Sequence, residues 1–401
     1  QAGGPAGGVV VTPESSLQMS AVWRAVGLIS SISASLPLCT YKKGTKKTTT
    51  TSLLDNPHPE MTAFELWRLN YVHRALWGNG YFQKVRNAAG QVTELHPIHP
   101  SLVLPGITNP IESNPGGKVY QITGPDGERH DLTPREILHI PGMGYDGVAG
   151  LSAIQMAAQG IGTALAAERY SAKLFGSGNL LGGILQVENR LKSEEADALQ
   201  KRWQAKMSGM DRAHDVAVLD NGAKFQALTM PSTDAQLLES RQFAITDIGR
   251  FYGVPPFLMM QTEKSTSWGT GLEQQAQGFV TFDLTPQWLT PTESRLSAPG
   301  SEVIPRTQYV KYNVDALLRG DSAARAALYT ARFNTGSISP NDIRDAEDEE
   351  PIEGGDVYLQ PMNMVPLGTQ PAPPAPAPAP SAPSPAPTDG GADNGTNPAG
   401  K

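Results

Sequence analysis

Cysteine is nearly absent from the sequence. Cys39 is the single cysteine among 401 residues, so no internal disulfide can form. Disulfides stabilise mainly secreted proteins, so this composition favours assembly inside the cell. No apolar run approaches the roughly 20 residues that a membrane helix needs, and no signal peptide is visible, so we expect no membrane partner. The chain begins with Gln1 rather than methionine, which we interpret as a processed start.

An excess of positive charge is also missing. The chain carries 32 Lys and Arg against 39 Asp and Glu, a formal net charge of -7. Tight binding to nucleic acid of any sequence depends on Lys and Arg that displace counterions from phosphates. The composition therefore argues against such a binder, although it allows a surface past which DNA slides.

Catalytic motifs are lacking as well. The sequence has no Walker loop and no Gly-x-Ser-x-Gly elbow to seat a nucleophile. His96 and His99 have a spacing found in metal sites, yet the neighbouring prolines hold the segment extended and we find no Cys or carboxylate ligand beside them. Packing of both histidines at the end of a strand is the favoured interpretation. We therefore expect no metal, no cofactor and no enzymatic activity.

One glycine pattern supports a different function. Gly142, Gly144 and Gly147 follow a predicted strand, Ile137 to Ile140, and precede a helix, which is the setting of a dinucleotide-binding loop. Glu168 follows at about the distance of the acid that binds a ribose. However, the downstream sequence lacks the alternation of strands and helices that a doubly wound sheet needs. A flexible hinge is favoured, and a nucleotide-dependent oxidoreductase stays as the alternative.

The stretch from Gly150 to Gly253 organises the chain. Its first helix has one bulky face with helical spacing, formed by Leu151, Ile154, Ala158, Ile161 and Leu165. A second face has only small residues: Ala153, Ala157, Gly160, Ala164, Ala167 and Ser171. The returning helix begins at a capping box of Thr233 and Gln236 and ends at Gly253. The two helices would be on the order of 40 Å and 30 Å long. The bulky face and the small face of the first helix indicate that other elements pack against it from both sides.

A compact insert separates these helices. The run from Gly183 to Val187 predicts a buried strand, and Ser193 with Glu194 and Glu195 opens a short helix. Val216 to Leu219 and Phe225 to Leu228 predict a hairpin around the Asn-Gly turn at Asn221. A small unit at the end of two helical arms suits contact with other proteins better than catalysis.

The regions on either side predict an α+β fold. Before Gly150 we expect one helix capped by Ser20 and a second that runs from the Thr62–Glu65 capping box to a stop at Gly78. We also expect strands at Leu38 to Tyr41, Tyr81 to Arg86, Gln91 to Leu95, Val119 to Ile122 and Ile137 to Ile140. After Gly253 we expect a polar loop from Gln261 to Gly271, a helix that Pro286 bends or stops, a strand at Tyr309 to Tyr312, and helices at Asp321 to Phe333 and Pro340 to Ala346. From Thr369 onward the Pro-Ala alternation predicts a disordered tail.

The order of short motifs carries a family resemblance. The sequence resembles the portal proteins of tailed double-stranded-DNA bacteriophages, in the branch typical of long-tailed phages. The matching motifs span about Thr12 to Pro366, and Asn341-Asp342-Ile343-Arg344 departs conservatively from the family's usual Glu before Ile-Arg. The matches are Thr12-Pro13-Glu14, Ser20-Ala21-Val22, Ala34 to Leu38, Asn56-Pro57, Gly78 to Tyr81, Leu95-His96-Pro97, Ile137 to Ile140, Gly147 to Ser152, Gly253 to Pro256, Leu317 to Asp321 and Gly354-Gly355-Asp356.

The resemblance implies a portal fold. It implies a wing in residues 1–150 and 255–318, stem helices in 151–180 and 231–254, a small clip in 181–230, a helical crown in 319–366 and a disordered tail in 367–401. It also implies a ring, usually of twelve copies, at one capsid vertex of the virion, assembled in the host cytoplasm. Its partners would be the large terminase, a head-completion adaptor, the major capsid protein and, without sequence preference, the double-stranded DNA that passes through the bore. Another virion or adaptor component remains a further alternative.

Site residues follow from the same resemblance. The tunnel loop facing DNA would comprise Lys264, Ser265, Thr266, Ser267 and Trp268. Docking of the terminase and the adaptor would use the clip residues Glu194, Glu195, Lys201, Arg202 and Asn221. The link between the small face of the first helix and a ring is our own inference, and it assigns subunit packing to Ala153, Ala157, Gly160, Ala164 and Arg241. The acidic run near Glu347 to Glu353 either repels packaged DNA or forms a solvated helix end.

Overall fold

The structure is a computed structural model, and it combines helices with small sheets. The chain divides into two compact units, Gln1–Leu318 and Arg319–Lys401, which are described separately. The described residues are 9–45, 48–49, 51–109, 116–124, 126–176, 183–186, 197–198, 201, 224–227, 233–261, 270–314, 317, 322–347 and 349–358.

Helices account for more of the described residues of the first unit than strands do. A π-helix, Val280–Leu289, joins two α-helices, and short 3₁₀ turns lie at Pro100–Leu102 and Pro256–Met259. The α-helices are α1 Pro13–Ser16, α2 Ser20–Ser35, α3 Ser52–Asp55, α4 Ala63–Trp77, α5 Ala153–Met156, α6 Ala158–Gly176, α7 Thr233–Tyr252, α8 Thr270–Phe279 and α9 Thr290–Ser297.

The strands form four small sheets. They are β1 Leu38–Lys42, β2 Thr48–Thr49, β3 Asn79–Arg86, β4 Val92–Ile98, β5 Val103–Ile107, β6 Lys118–Thr123, β7 Arg129–Leu132, β8 Ile137–Pro141, β9 Gly183–Gln186, β10 Lys224–Ala227 and β11 Gln308–Tyr312. Their orders are β11-β1-β2, β4-β3-β8, β5-β6-β7 and β10-β9. Each pairing in the described part of the chain is antiparallel, which confirms the predicted α+β class.

Local sequence signals explain α4 well. The Thr62 hydroxyl accepts a hydrogen bond from the Glu65 backbone N–H at 3.2 Å, and the Glu65 carboxylate accepts one from the Thr62 N–H at 2.9 Å. Gly78 ends the helix with φ +78°, a conformation that costs glycine little. The predicted capping box is therefore confirmed. The prediction that Ser20 caps α2 was wrong, because Met19 is the N-cap and Ser20 is the first helical residue.

The core of the first unit lies where α2 and α4 pack on the sheet β4-β3-β8 and on the helices that follow. Its fully buried members come from distant parts of the sequence: Val22, Ile29, Leu66, Tyr71, Phe82, Ile140, Ile161, Leu284 and Leu296. Strand β11 pairs with β1 in the register Leu38 to Tyr312. This pairing joins the two ends of the unit and was not predicted.

In the described residues of the second unit there are two helices, α10 Ser322–Asn334 and α11 Pro340–Ala346. Both were predicted, the second with the same bounds. Ser339 and Asp342 form a capping box at the start of α11. Two acids of the predicted acidic run are paired, since Glu347 lies 3.0 Å from Arg325 and Glu349 lies 3.0 Å from Arg344. These pairs support the interpretation of this run as a helix end that faces solvent.

Candidate functional site

The helices α6 and α7 lie side by side in opposite directions. The carboxylate of Glu168 on α6 is 3.9 Å from the guanidinium of Arg241 on α7. Nearer the start of α6, a Cβ at Gly160 would lie 3.6 Å from the carboxylate of Asp247 on α7. Later positions on α6 thus match earlier positions on α7, so the helices are antiparallel. The Arg241–Glu168 pair is half exposed and contributes at most about 1 kcal/mol.

The first of these helices is shorter than predicted. Ala157 has φ -86° and ψ 4°, which separates α5 from α6. α6 has 19 residues and is therefore about 28 Å long, against the 40 Å expected for an unbroken helix. The second helix, α7, has 20 residues and ends at Tyr252, next to Gly253 with its φ of +68°. The predicted end of the returning helix is thus confirmed.

The small face of α5 and α6 lies largely against its own chain. Ala157 is 5% exposed and belongs to the core, and Ala153 and Ala164 are half-buried against that core. Gly160 and Arg241 are exposed. Of the five residues assigned to subunit packing, only these two are freely available on the surface, and burial of Ala157 excludes it from such a contact.

A pair of short strands lies in the sequence between the two helices. β9 and β10 pair in the register Gly183 to Ala227 and Gln186 to Lys224. The predicted strands at 183–187 and 225–228 are thereby confirmed to within one residue at each end. The remaining predicted strand, 216–219, lies outside the described residues. So do Glu194, Glu195, Arg202 and Asn221, whereas Lys201 has a helical backbone and an exposed side chain.

The predicted DNA-facing loop falls outside the described residues, which stop at Gln261 and resume at Thr270. This applies to Lys264, Ser265, Thr266, Ser267 and Trp268. On the N-terminal side, the Gln261 side-chain amide donates to the backbone carbonyl of Gln242 at 3.1 Å and accepts from the Thr246 hydroxyl at 3.0 Å. Gln261 therefore anchors the start of this segment to α7.

Pro286 neither stops nor breaks the helix that follows. The chain continues from α8 through the π-helix into α9, and Pro286 lies inside the π-helical stretch. The backbone N–H of Thr290 donates to the carbonyl of Thr285, five residues earlier, as a π-helix requires. The prediction of a bend or stop assumed the α-helical register, in which proline also clashes with the preceding turn.

Arg74 on α4 contacts this π-helix and was missed by sequence reasoning. Its guanidinium donates to the carbonyls of Trp288 at 2.7 Å and Gln287 at 2.9 Å. It also donates to the hydroxyl of Thr292 at 3.1 Å. Arg74 is only 3% exposed. An arginine among the buried residues of α4, beside Asn70 and His73, was the available signal, but the sequence did not reveal what it contacts.

A buried polar cluster surrounds Asn79. Its side-chain oxygen accepts from the Gly150 backbone N–H at 2.7 Å and from Nε2 of His139 at 2.9 Å, while its amide donates to the Gly150 carbonyl at 2.8 Å. His139 Nδ1 then accepts from the hydroxyl of Tyr120 at 3.2 Å. Burial lowers the pKa of His139 well below its ordinary value, so the imidazole is neutral. The position of Asn79 between two glycines was the signal that could have indicated this role.

Glycines in and beside the predicted nucleotide loop lie where two backbone segments pack too closely for a larger side chain. The Gly142 N–H donates to the Gly78 carbonyl at 2.8 Å. A Cβ at Gly144 would lie 2.3 Å from the Ala149 carbonyl, and one at Gly150 would lie 2.1 Å from the Gly78 carbonyl. The preceding strand β8 pairs antiparallel with β3, whereas dinucleotide-binding loops follow parallel strands. Close packing explains Gly142, Gly144 and Gly150, whereas Gly147 has a φ of +70° and open space around it. The antiparallel pairing of β8 counts against the nucleotide-binding alternative.

The histidines singled out in the sequence pack near the end of β4. His96 Nε2 lies 2.7 Å from the Glu94 carboxylate, and the His96 ring lies 4.5 Å from that of His58. His99 accepts from the Ser101 backbone N–H and packs on Trp77. Glu94 is a carboxylate neighbour that sequence reasoning overlooked. Even so, the described residues contain no cluster of three or more His, Cys, Asp or Glu that could hold a metal ion.

Two buried bases have shifted pKa values. Burial, with a smaller contribution from His99, lowers the pKa of His73 to about 4. Burial also lowers the pKa of Lys84 to about 8, although its ammonium donates to the carbonyls of Pro134 at 2.8 Å and Ser301 at 2.9 Å. Both side chains lie inside the fold and link elements to one another, which indicates structural roles.

No helix in the described ranges combines the length and apolarity that crossing a bilayer demands. Exposed arginines and glutamates instead line the helix pair, as at Arg241 and Glu168. The arrangement offers long packed helices, small antiparallel sheets and buried polar links. It suits a protein that transmits contacts between neighbours.

Comparison with known proteins is consistent with this description. A model of the phage portal protein family matches residues 20–348. The chain is 35% identical over 383 residues to a probable portal protein of Streptomyces phage phiC31, covering 92% of this chain and 83% of the relative. It is 32% identical over 378 residues to the portal protein of Enterobacteria phage HK97, covering 90% and 87%.

A solved structure has a similar fold. It is a chain in the neck of a native gene transfer agent particle computed with C12 symmetry, with a TM-score of 0.57 and 21% identity over 85% of this chain and 95% of that chain. The fold likeness and the sequence matches agree over most of the chain. The protein therefore belongs to the phage portal protein family.

Proposed function

We propose that twelve copies of this protein form a ring at one vertex of a phage capsid. Double-stranded DNA would be packaged through the ring and would later leave through it toward the tail. The observation that carries the proposal is the family match over residues 20–348, because it covers nearly all of the folded chain. The similar fold of a chain in a neck computed with C12 symmetry supports the number of copies.

The described elements suit different structural roles in different parts of the chain. The antiparallel pair α6 and α7, with β9 and β10 between them in sequence, suits a stem that carries a small contact unit. In this proposal residues 1–150 and 255–318 form the wing, 151–180 and 231–254 the stem, 181–230 the clip, 319–366 the crown and 367–401 the C-terminal tail.

Subunit packing would use the exposed part of the stem. A closed ring requires two unlike surfaces on each copy, one for each neighbour. Gly160 is exposed beside Asp247 of α7, whose carboxylate would lie 3.6 Å from a Cβ at this position, and Arg241 adds an exposed charge paired with Glu168. Ala153 and Ala164 would only support this surface from within, because both pack on the core of their own chain.

The remaining partners follow from the same proposal. The clip would dock the large terminase and then the head-completion adaptor through Glu194, Glu195, Lys201, Arg202 and Asn221. The wing would contact the major capsid protein, and the loop with Lys264, Ser265, Thr266, Ser267 and Trp268 would face DNA of any sequence. The net charge of -7 suits a bore that DNA slides through rather than adheres to. The role is structural, without catalysis or cofactor, first in the host cytoplasm and then in the virion.

Two measurements test the proposal. Gold-labelled antibody should mark a single vertex of each capsid, and native mass spectrometry of the purified protein or of necks released from particles should give a ring of twelve copies. Label spread over the capsid would contradict the portal function. A single labelled vertex together with released necks that lack a ring of this chain would instead favour another adaptor component.

A further inference from the structure

The helical stretch from Thr270 to Ser297 contains two prolines, Pro286 and Pro291. Each lacks the backbone N–H that a helix uses. In the α-helical register the carbonyl of Gln287 would accept from residue 291, and that residue is proline. The sequence therefore leaves the Gln287 carbonyl without its α-helical partner at the junction between the π-helix and α9.

Arg74 supplies the missing hydrogen bond. One terminal nitrogen of its guanidinium donates to Gln287 O at 2.9 Å, and the other donates to Trp288 O at 2.7 Å. A planar guanidinium has two parallel donors, which fit two successive carbonyls on one turn. Arg74 thus donates hydrogen bonds to two backbone carbonyls. The direction in which each carbonyl points depends on the local helical register.

The groups around the Arg74 guanidinium include backbone carbonyls and aromatic rings. Within the described part of the chain no salt bridge involves Arg74, although buried arginines are normally paired with a carboxylate. Instead, its guanidinium carbon lies 5.5 Å from the centre of the Trp288 ring and 5.6 Å from that of Tyr71. The hydroxyl of Tyr71 is itself held by Tyr312 at 2.9 Å. Carbonyl oxygens and aromatic faces are therefore the groups that balance the buried charge.

We infer that Arg74 is a positioning residue that holds residues 280–289 in the π-helical register and thereby fixes the orientation of α8. Conversion of one π turn to an α turn would move α8 by about 1.5 Å along its axis and turn it by roughly 100°. α8 follows the segment proposed to face DNA, so the same register sets where that segment ends. Only this last consequence rests on the proposed function.

Hydrogen exchange of backbone amides, followed by mass spectrometry on the full chain, tests the inference. Arg74→Met removes the donors and keeps a long apolar side chain. Loss of a buried hydrogen bond costs roughly 1–3 kcal/mol, equivalent to a change of about 5- to 150-fold in an opening equilibrium. We expect exchange across residues 285–293 to rise by at least about fivefold, while exchange in the sheet β5-β6-β7 stays as in the wild type.

A second substitution separates positioning from general support. Pro291→Ala restores an N–H that can bond Gln287 O, so the effect of Arg74→Met should be several-fold smaller in the Pro291→Ala background. Equal acceleration in 285–293 and in β5-β6-β7, or an undiminished effect in that background, would overturn the inference. If Arg74→Met does not fold, Arg74→Lys carries the same comparison, because lysine keeps the charge but lacks the planar fork.

Discussion

Gly150→Ala should destabilise the protein strongly. A Cβ at position 150 would lie 2.1 Å from the Gly78 carbonyl oxygen and 2.7 Å from the Gly142 nitrogen. Both are backbone atoms in a hydrogen-bonded crossing, so they cannot move aside as the end of a flexible side chain could. The Asn79 side chain would also lose one or both of its hydrogen bonds to Gly150, now 2.7 and 2.8 Å long.

The size of the effect follows from these contacts. Overpacking of a tight site costs typically 1–3 kcal/mol, and each buried hydrogen bond lost adds about 1 kcal/mol. We therefore expect the free energy of unfolding to fall by about 2–5 kcal/mol. Urea unfolding followed by tryptophan fluorescence, at a concentration where the protein is monomeric, measures this value.

The matched control is Gly27→Ala in α2. A Cβ there meets nothing within 4 Å, so the substitution should raise stability by up to about 1 kcal/mol through helix propensity. A change below about 0.5 kcal/mol for Gly150→Ala, within the range of ordinary surface substitutions, would refute this account of the glycines. It would also reopen the question of why glycine occupies positions 142, 144 and 150.

Four further predictions concern pH, DNA and assembly. His73 has a folded pKa of about 4 against an ordinary 6.5, so the unfolded chain binds more protons between these values and stability should fall by up to about 3 kcal/mol as pH drops from 6.5 to 4. His73→Phe should reduce this fall in urea titrations at several pH values, and an unchanged pH dependence would count against it. Lys84 has a folded pKa of about 8 against 10.5, so its contribution to stability should rise as pH increases from 8 to 10.5; Lys84→Met should remove that rise, and a variant that retains it would contradict the assignment. Lys264→Ala should change the packaging rate or the retention of DNA in particles, whereas Lys311→Ala on β11 should not, and equal behaviour of the two variants would exclude a special role for Lys264. Gly160→Leu should lower the fraction of rings in native mass spectra while Arg68→Leu, on the exposed side of α4, leaves it unchanged; intact rings with Gly160→Leu would remove Gly160 from the subunit contact.

The sequence predicted elements whose signals are local. The capping box at Thr62 and the glycine at Gly78 each act within a few residues, and α4 and α11 have the expected bounds. The antiparallel α+β class also followed from short strands separated by turns. The family resemblance likewise rested on local motifs, and the comparisons confirmed it.

Features that depend on distant partners were not predictable. The π-helix depends on Arg74, more than 200 residues earlier in the chain, and the pairing of β1 with β11 joins residues even further apart. The break at Ala157 has no glycine or proline beside it, and the nearest glycine, Gly160, falls inside α6 rather than at the break. Patterns in single segments do not encode these contacts, because each depends on where another element packs.

The pairing of β1 with β11 has a consequence for biosynthesis. Leu38 leaves the ribosome about 270 residues before its partner Tyr312, which at 5–20 residues per second is a delay of roughly 15–50 s. During that time one edge of β1 has no native neighbour, and an open strand edge invites pairing with other nascent chains. Cells that make many copies of this protein at once should therefore depend on chaperones that shield the amino-terminal half until synthesis is nearly complete.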